Sequence, residues 1–342
     1  MFLKLTETLN RSMNVDYVNS LTNYLCTIFM TLIILAAVFL SVVVITPFGI
    51  AYARKNGKLD KPSVRKIHKE PTPSIGGHVF VPVAFVGWWL LVPEIDSKVL
   101  SLTASAAILY VMGIIDDARN LSHRIKLPFQ MAASTLVIHV WDLLPLDFGG
   151  AFGIHLVHSW WGWILMLAFF QFTINAINYT DGINGLLGGY TVVTFGFLAW
   201  FTQSGDYPHM SHLLVTMIGA IVGFLIYNFR PKAKTFMGDT GSTVIGLIAA
   251  MTTARIIGKQ PNIDLGAQSI PTFFMMVAVF WYPLFDSLQV YIRRMSRGNS
   301  PFVADRSHLH HHLMARTDKN HVLSSGLVIG ITVLGVVVAQ LF

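Results

Sequence analysis

The chain has 342 residues, of which 54% are hydrophobic and only 12% are charged, whereas about 25% of the residues in a typical soluble domain are charged. This composition, with a mean hydropathy of +0.59, excludes a soluble globular protein and indicates an integral membrane protein. The formal charge of +7 would suggest nucleic-acid binding in a soluble protein. In a membrane protein such charge reflects basic cytoplasmic loops, so we expect no nucleic-acid partner. The single cysteine, Cys26, excludes an intramolecular disulfide and a metal–thiolate site.

Ten apolar segments are long enough, or nearly so, to cross a hydrocarbon core of about 30 Å. They centre near residues 27–49, 79–93, 99–115, 127–141, 160–177, 186–202, 211–229, 241–257, 271–292 and 323–341. The second and fourth are short, so their helices either tilt or begin deeper than the apolar residues indicate. The sequence therefore predicts an all-α fold, with about ten transmembrane helices in a single domain spanning residues 1–342.

The basic residues of the chain are concentrated on one predicted side of the membrane. The loops that follow the odd-numbered segments hold 19 of the 24 Lys and Arg residues. They span residues 50–78, 116–126, 178–185, 230–240 and 293–322. The positive-inside rule places these loops in the cytoplasm and both termini on the other side. The polar motifs lie in the same loops, whereas a transporter would more often hold ionisable groups near the bilayer midplane.

The most informative motif is residues 236–242 (FMGDTGS), which place the carboxylate of Asp239 among small residues between two apolar segments. Its upstream flank, residues 228–234, is basic. An acid beside glycines and basic side chains at the edge of a membrane indicates divalent-metal and phosphate chemistry. Taken alone, the same residues are also common in ordinary turns.

Two further motifs carry acids on the same side. Asp116 and Asp117 end the third apolar segment, and adjacent carboxylates repel unless water, a cation or a basic group is near. Asn175, Asn178 and Asp181 recur every third residue and share one face of a helix. Amide and carboxylate oxygens suit a hard cation such as Mg²⁺. The alternative interpretations are a solvated helix end for the first pair and a polar helix end with a glycine turn for the second group.

The first of these loops contains Lys61, His68 and the pair Gly76 and Gly77 directly before an apolar segment. Glycine backbone amides can approach an anion closely. The basic residues can equally anchor the loop to anionic lipid.

The last of these loops contains Arg294, Asp305, His308 and His310. A histidine cluster suggests zinc, but no cysteine joins it and the other candidate ligands are oxygens. Arginine with clustered histidines is better suited to neutralising a diphosphate.

Taken in order, the five motif regions between residues 59 and 314 resemble the polyprenyl-phosphate N-acetylhexosamine-1-phosphate transferases. The ending 300–311 (SPFVADRSHLHH) is similar to the bacterial UDP-GlcNAc branch of that family. The resemblance implies a multi-pass enzyme of the bacterial inner membrane with periplasmic termini. Such an enzyme transfers GlcNAc-1-phosphate from UDP-GlcNAc to undecaprenyl phosphate and releases UMP. This reaction initiates synthesis of cell-surface polysaccharide such as the O-antigen of lipopolysaccharide.

The resemblance also implies a role for each motif residue. Asp116, Asp117 and Asp181 match catalytic acids, Asp239 matches a Mg²⁺ ligand, and Asn178 completes the metal shell, with Mn²⁺ as a substitute cation. The implied substrate contacts are Lys61, His68, Gly76, Gly77, Lys126, Asn184 near the uracil, Arg294, Asp305, His308 and His310. Many bacterial relatives have Asp where this chain has Asn120 and Asn184, so neither position supplies a carboxylate here. The expected partners are a UDP-sugar, a polyprenyl phosphate, the membrane and a second copy in a homodimer.

Two alternatives remain open from the sequence. The first is the same chemistry with UDP-MurNAc-pentapeptide or another UDP-HexNAc as donor. The second belongs to another class, a transporter or flippase of lipid-linked sugars, which would place charged residues in the middle of the apolar segments. UMP release from each donor distinguishes all three.

Overall fold

The computed structural model describes residues 15–60, 70–144, 146–157, 159–203, 209–264, 269–298 and 308–340. Its helices are α1 (Val15–Lys55), α2 (Gly76–Leu91), α3 (Ser97–Arg119), α4 (His123–Val140), α5 (Ser159–Thr180), α6 (Leu186–Thr202), α7 (His209–Asn228), α8 (Gly238–Lys259), α9 (Thr272–Val279), α10 (Trp281–Ser296), α11 (Leu309–Arg316) and α12 (His321–Gln340). Each predicted apolar segment falls on one of these helices, and the ninth falls on α9 and α10 together. The prediction of a mainly helical, multi-pass membrane protein is confirmed.

The number of membrane crossings remains a prediction. In the described part of the chain, five helices are long and apolar enough to cross a membrane, or six if α9 and α10 count as one span. The five are Leu25–Lys55, Ser97–Arg119, Trp160–Thr180, His209–Asn228 and Gly238–Lys259. Three more helices are apolar but shorter, namely Gly76–Leu91, Leu186–Thr202 and His321–Val337.

Helix α8 forms the centre of the bundle. Nearly all of its residues are buried, and it packs against α2, α3, α4, α5 and α6. Small residues allow this close approach, because a Cβ atom at Gly113 of α3 would lie 2.4 Å from Cα of Thr240. Small residues at helix crossings are the usual way in which transmembrane helices reach short separations.

The helices extend beyond the apolar segments into the predicted loops. Helix α8 begins at Gly238, so Asp239 lies in the first turn of a helix and not in a loop as predicted. A carboxylate is favoured there by the exposed N–H groups of the helix start. The last predicted loop also contains a helix, α11. This helix has eight residues and buries the side chains of His310 and Met314.

The ninth apolar segment is not one straight helix. Helices α9 and α10 meet at an angle of 80°, with Phe280 between them at φ −95° and ψ 18°. Helix α10 is amphipathic: it buries Asp286 and Arg294 and exposes Phe285 and Leu288. Hydropathy averaged over the whole segment does not reveal this bend, because the two helices together are apolar enough to count as one span.

Two short antiparallel strand pairs add to the helices. Strand β1 (Leu146–Asp147) pairs with β2 (Leu156–Val157), and β3 (Asn262–Asp264) pairs with β4 (Ser269–Pro271). The all-α prediction omitted these pairs, since strands of two or three residues leave no periodicity in the sequence.

Candidate active site

The five predicted same-side loops meet around a cavity of about 410 Å³. This volume lies within the usual range for small-molecule sites, roughly 300–1,000 Å³. The lining residues are Asp60, Ser74, Asp116, Asp117, Asn120, Leu121, Lys126, Asp181, Gly182, Ile183, Asn184, Asn228, Phe236, Gly238, Asp239, His310, His311 and His321. Each of the five loops contributes to this wall, so segments that are distant in sequence come together at one end of the bundle.

Lys126 joins two of the carboxylates in the cavity wall. Its Nζ atom lies 2.5 Å from Oδ2 of Asp116 and 2.5 Å from Oδ2 of Asp239. Burial opposes the charge on this ammonium group, but the two carboxylates more than offset that cost and raise the pKa of Lys126. The contact connects the end of α3, the start of α4 and the start of α8.

Asp116 is held at the end of α3 by its own backbone turn. Its Oδ1 atom accepts the Leu121 N–H at 2.5 Å, and the helix ends at Asn120 in the left-handed region, with φ 51°. Asparagine tolerates this conformation better than most residues. The turn therefore leaves Oδ2 of Asp116 directed at Lys126.

Asp117 caps the N-terminus of α8. Its Oδ1 accepts the Asp239 N–H at 2.8 Å, and its Oδ2 accepts the Thr240 Oγ1 hydroxyl at 2.7 Å and the Thr240 N–H at 3.3 Å. The Nε2 atom of His78 lies 3.4 Å from the same Oδ2. This geometry gives Asp117 a role in orienting Asp239, and its predicted role as a catalytic acid stays a prediction.

Replacing Asp117 with asparagine separates these two roles. If Asp117 acts mainly as a cap, Asp117→Asn lowers turnover by about 10- to 100-fold, as for other partners that orient a reactive group. Both carboxylate oxygens of Asp117 accept hydrogen bonds and asparagine keeps one acceptor, so the variant is also less stable by about 1 kcal/mol. Turnover and thermal unfolding measured on the same purified sample check this. A loss of about 10²- to 10⁴-fold with unchanged unfolding temperature would instead support acid–base catalysis by Asp117.

Asn178 lies beside Asp239 at the end of α5. Its Nδ2 donates to Ser242 Oγ at 2.8 Å, and its side chain also hydrogen-bonds Asp239. The structure thus brings Asn178 and Asp239 together across two helices. Their oxygens are of the type that a hard cation takes as ligands.

Asp181 adds a further acid to the cavity. Burial raises the pKa of Asp181 well above its ordinary value, and the charges of Asp239 and Asp117 raise it further. With Asp60 and Asp116, five acidic side chains line this cavity. Acidic groups this close together disfavour one another's ionised form, and a bound cation would relieve that repulsion.

Gly76 and Gly77 do not present free amides to the cavity. The Gly76 N–H donates to the Phe236 carbonyl at 2.9 Å and the Gly77 N–H to the Met237 carbonyl at 2.8 Å. A Cβ atom at Gly77 would lie 2.3 Å from the Gly241 nitrogen. The expectation that these amides bind an anion is therefore corrected: the two glycines let α2 pack against the start of α8.

Asn184 fixes the turn between α5 and α6. Its Nδ2 donates to the Arg230 carbonyl at 2.8 Å, its N–H donates to His321 Nδ1 at 3.3 Å, and its carbonyl accepts the Ser325 hydroxyl at 2.8 Å. Asn184 also lines the cavity. Contact with a uracil base stays a prediction.

The predicted histidine and arginine residues divide between the cavity wall and the protein interior. Arg294, His308 and His310 are all buried, and of these three His310 belongs to the cavity wall. Burial, reinforced by the neighbouring His311, lowers the pKa of His310 to about 3. Gly182 leaves room for this ring, because a Cβ atom there would lie 2.2 Å from His310 Nε2.

Three other predicted substrate contacts, Lys61, His68 and Asp305, lie outside the described residues.

The chain is similar in sequence to a known protein family. The sequence profile of glycosyl transferase family 4 matches residues 99–257. The undecaprenyl-phosphate alpha-N-acetylglucosaminyl 1-phosphate transferase of Escherichia coli K12 is 32% identical over 288 residues, which cover 82% of this chain and 75% of that protein. The chain belongs to glycosyl transferase family 4.

Two other relatives of this family 4 transferase carry similar names. The probable undecaprenyl-phosphate N-acetylglucosaminyl 1-phosphate transferase of Bacillus subtilis 168 is 31% identical over 281 residues, covering 81% of this chain and 75% of that protein. The decaprenyl-phosphate N-acetylglucosaminephosphotransferase of Mycobacterium tuberculosis H37Rv is 29% identical over 331 residues, covering 88% and 81%. The resemblance inferred from the motifs is thereby confirmed.

The site prediction missed several residues of the transferase that contact the predicted site residues, among them Asp286 and His321. Asp286 contacts His308, and His321 lines the cavity and contacts Asn184. An acid inside an apolar segment is a signal that would have found Asp286. No comparable signal marks His321.

The donor set of the transferase fits a hard divalent cation. No group of three or more His, Cys, Asp or Glu residues in the described ranges forms a complete metal site. Mg²⁺, however, is usually held by one or two carboxylates together with water and substrate phosphates. Asp239 and Asn178, with Asp116 next to them across Lys126, provide oxygens of this type, and the excess of carboxylates supplies the charge.

Proposed function

We propose that this family 4 transferase moves GlcNAc-1-phosphate from UDP-GlcNAc to undecaprenyl phosphate, releasing UMP and forming undecaprenyl-diphospho-GlcNAc. The observation that carries the proposal is the cavity in which all five loops meet around five acidic side chains and Lys126. The names of the relatives supply the donor sugar and the lipid acceptor. The product would initiate synthesis of a cell-surface polysaccharide.

We place the cavity at the cytoplasmic face of the bacterial inner membrane, with both termini in the periplasm. The five loops that line it contain 19 of the 24 Lys and Arg residues, as expected for cytoplasmic loops. A UDP-sugar reaches such a site from water, while a polyprenyl chain reaches it from the bilayer.

An apolar cavity of about 170 Å³ is the candidate position for part of the acceptor chain. It is lined by residues of α5, α8, α9 and α10, including Ala176 and Ile177. These two residues directly precede Asn178 and lie within two turns of Asp181 on the same helix. A prenyl chain in this cavity would bring its phosphate towards the polar cavity.

The reaction forms one bond and breaks one. An oxygen of the acceptor phosphate attacks the β-phosphorus of the donor, the bond from that phosphorus to the bridging oxygen breaks, and UMP leaves. Lys126 is partly exposed in the wall and can donate to the phosphate groups while it holds Asp116 and Asp239. Asp116 can orient the acceptor phosphate or take its proton.

Asp239 and Asn178 are the residues that would hold Mg²⁺, or Mn²⁺ in its place. Such an ion neutralises charge on a diphosphate and on the departing UMP. The His310 ring packs against Gly182, and its buried Nδ1 atom makes no hydrogen bond within the described residues.

Assay of the purified protein in detergent with each donor tests the proposal. We expect UMP release from UDP-GlcNAc only when undecaprenyl phosphate is present, its loss with excess EDTA, and its return when Mg²⁺ is added. UDP-MurNAc-pentapeptide should give little or no UMP. UMP release with UDP-MurNAc-pentapeptide but not with UDP-GlcNAc would identify UDP-MurNAc-pentapeptide as the donor. Transport of a lipid-linked sugar across a membrane without UMP release would indicate a flippase.

A further inference from the structure

Asp286 is the single charged residue of the apolar segment 271–292, and its side chain is only 1% exposed. A buried carboxylate is costly unless it is paired and hydrogen-bonded. Asp286 does not line the polar cavity. Its retention in the interior therefore depends on what its two oxygens contact.

Both oxygens of Asp286 contact residues on the far side of the last loop. Oδ1 accepts the Leu309 N–H at 2.6 Å, and Oδ2 lies 2.8 Å from Nδ1 of His308. His308 is the N-cap of α11 but makes no capping bond with its own side chain. The carboxylate of Asp286 thus satisfies the helix start and holds the His308 ring at the same time.

This contact determines which nitrogen of His308 carries hydrogen. An ionised carboxylate only accepts hydrogen bonds, so Nδ1 must be the donor. On the other side of the ring, Nε2 lies 3.5 Å from Nη2 of Arg294, which only donates. The His308 ring thus lies between the Asp286 carboxylate, which accepts, and the Arg294 guanidinium, which donates. A neutral ring with its hydrogen on Nδ1 suits both partners.

The His308 ring also supports a residue of the cavity wall. It stacks on His310 with ring centroids 5.5 Å apart and an interplanar angle of 13°, and the Tyr179 ring packs against it at 5.6 Å. The titratable and charged groups around His308 are therefore Asp286 and Arg294 of α10, Tyr179 of α5 and His310 of α11. Of these, His310 lines the cavity.

We propose that Asp286 is a positioning residue for the transfer reaction. It holds His308 as the Nδ1–H tautomer, and through that ring it fixes the Arg294 guanidinium and the His310 ring without touching substrate itself. Partners of this kind set the orientation and protonation of histidines in other sites. The effect on turnover rests on the proposed function, whereas the tautomer of His308 does not.

The tautomer is measured by ¹⁵N NMR of histidine-labelled protein in nanodiscs, with the His308 signal assigned from its absence in His308→Gln. We expect the Nδ1–H form in the wild-type protein. In Asp286→Asn the amide oxygen can accept from the Leu309 N–H or from His308 Nδ1–H, but not from both. We therefore expect that His308 is no longer held in the Nδ1–H form alone. A wild-type ring in the Nε2–H form, or an unchanged tautomer in Asp286→Asn, would overturn the proposal.

Kinetics test whether Asp286 acts through His308. We expect Asp286→Asn to lower kcat by about 10- to 100-fold, with the KM for the donor changed by less than about twofold because this residue makes no substrate contact. In the His308→Gln background the same substitution should cause no further loss. Losses that multiply in the double variant would show a separate structural effect and contradict the proposal.

Asp96→Asn is the matched control. Asp96 also accepts a backbone N–H at a helix start, from Val99 at 2.8 Å, but it lies at the opposite end of α3 from Asp116. Asparagine caps helices as well as aspartate does, so this variant should keep wild-type turnover. If the wild-type protein releases no UMP, the proposed function fails, and the NMR result still decides the role of Asp286.

Discussion

Asp239→Asn is expected to lower the rate of UMP release by at least about 10³-fold, the upper end of the loss when a preorganised electrostatic group is removed. Asparagine keeps the size of the side chain and still accepts a hydrogen bond from Lys126. It removes the negative charge that balances the ammonium group 2.5 Å away and the strongest cation ligand of the wall. Turnover with UDP-GlcNAc and undecaprenyl phosphate at saturating Mg²⁺ gives the size of the loss.

Electron paramagnetic resonance measures Mn²⁺ binding directly. It therefore tests the loss of the cation ligand separately from turnover. We expect weaker Mn²⁺ binding in Asp239→Asn than in wild type. The control is Asp147→Asn, since Asp147 accepts the Gly149 N–H at 2.8 Å in the β1–β2 hairpin, outside the cavity. Undiminished turnover and Mn²⁺ binding in Asp239→Asn would remove the metal assignment.

The sequence predicted the helices and the grouping of the polar loops because both depend on composition. Apolar length identifies segments that can cross a bilayer, and the bias of basic residues identifies the loops that share a side. Those two rules, applied to the whole chain, were enough to bring Asp116, Asp181 and Asp239 to one end of the protein. In the structure the three carboxylates line the same cavity.

The roles of individual residues within the site were less predictable. Asp116 and Asp117 are neighbours in sequence, yet one contacts Lys126 and the other caps α8. Adjacent residues of a helix point about 100° apart, so they face different neighbours. Which neighbour each one meets depends on how α3 packs against α8, and a single sequence does not contain that information.

Asp286 and the glycine pair show the same limit. Asp286 acts on residues more than twenty positions away, across a bend that hydropathy does not report. Gly76 and Gly77 suggested an anion site because glycine exposes its amide. Glycine also allows close helix packing, and the two uses have the same sequence pattern.

Gly77→Ala distinguishes these two uses of glycine. Alanine keeps the N–H group, so an anion site would lose at most some affinity for the donor. In the structure its Cβ atom would lie 2.3 Å from the Gly241 nitrogen and 2.6 Å from the Gly241 Cα. Backbone atoms cannot move aside as a side chain can, so α2 and α8 must separate. We expect a loss of about 3 kcal/mol or more, at or above the usual cost of overpacking.

The matched control is Gly258→Ala, at the other end of α8. Beyond the adjoining backbone of its own helix, no described atom lies within 4 Å of a Cβ built there. Alanine in an exposed helix position is up to about 1 kcal/mol more favourable than glycine. Thermal unfolding in detergent should therefore fall for Gly77→Ala and stay equal or rise for Gly258→Ala. An unchanged unfolding temperature in Gly77→Ala, together with a raised KM for UDP-GlcNAc, would favour the anion site instead. The start of α8 carries Asp239, so a separation of α2 from α8 should also disturb turnover in proportion to the lost stability.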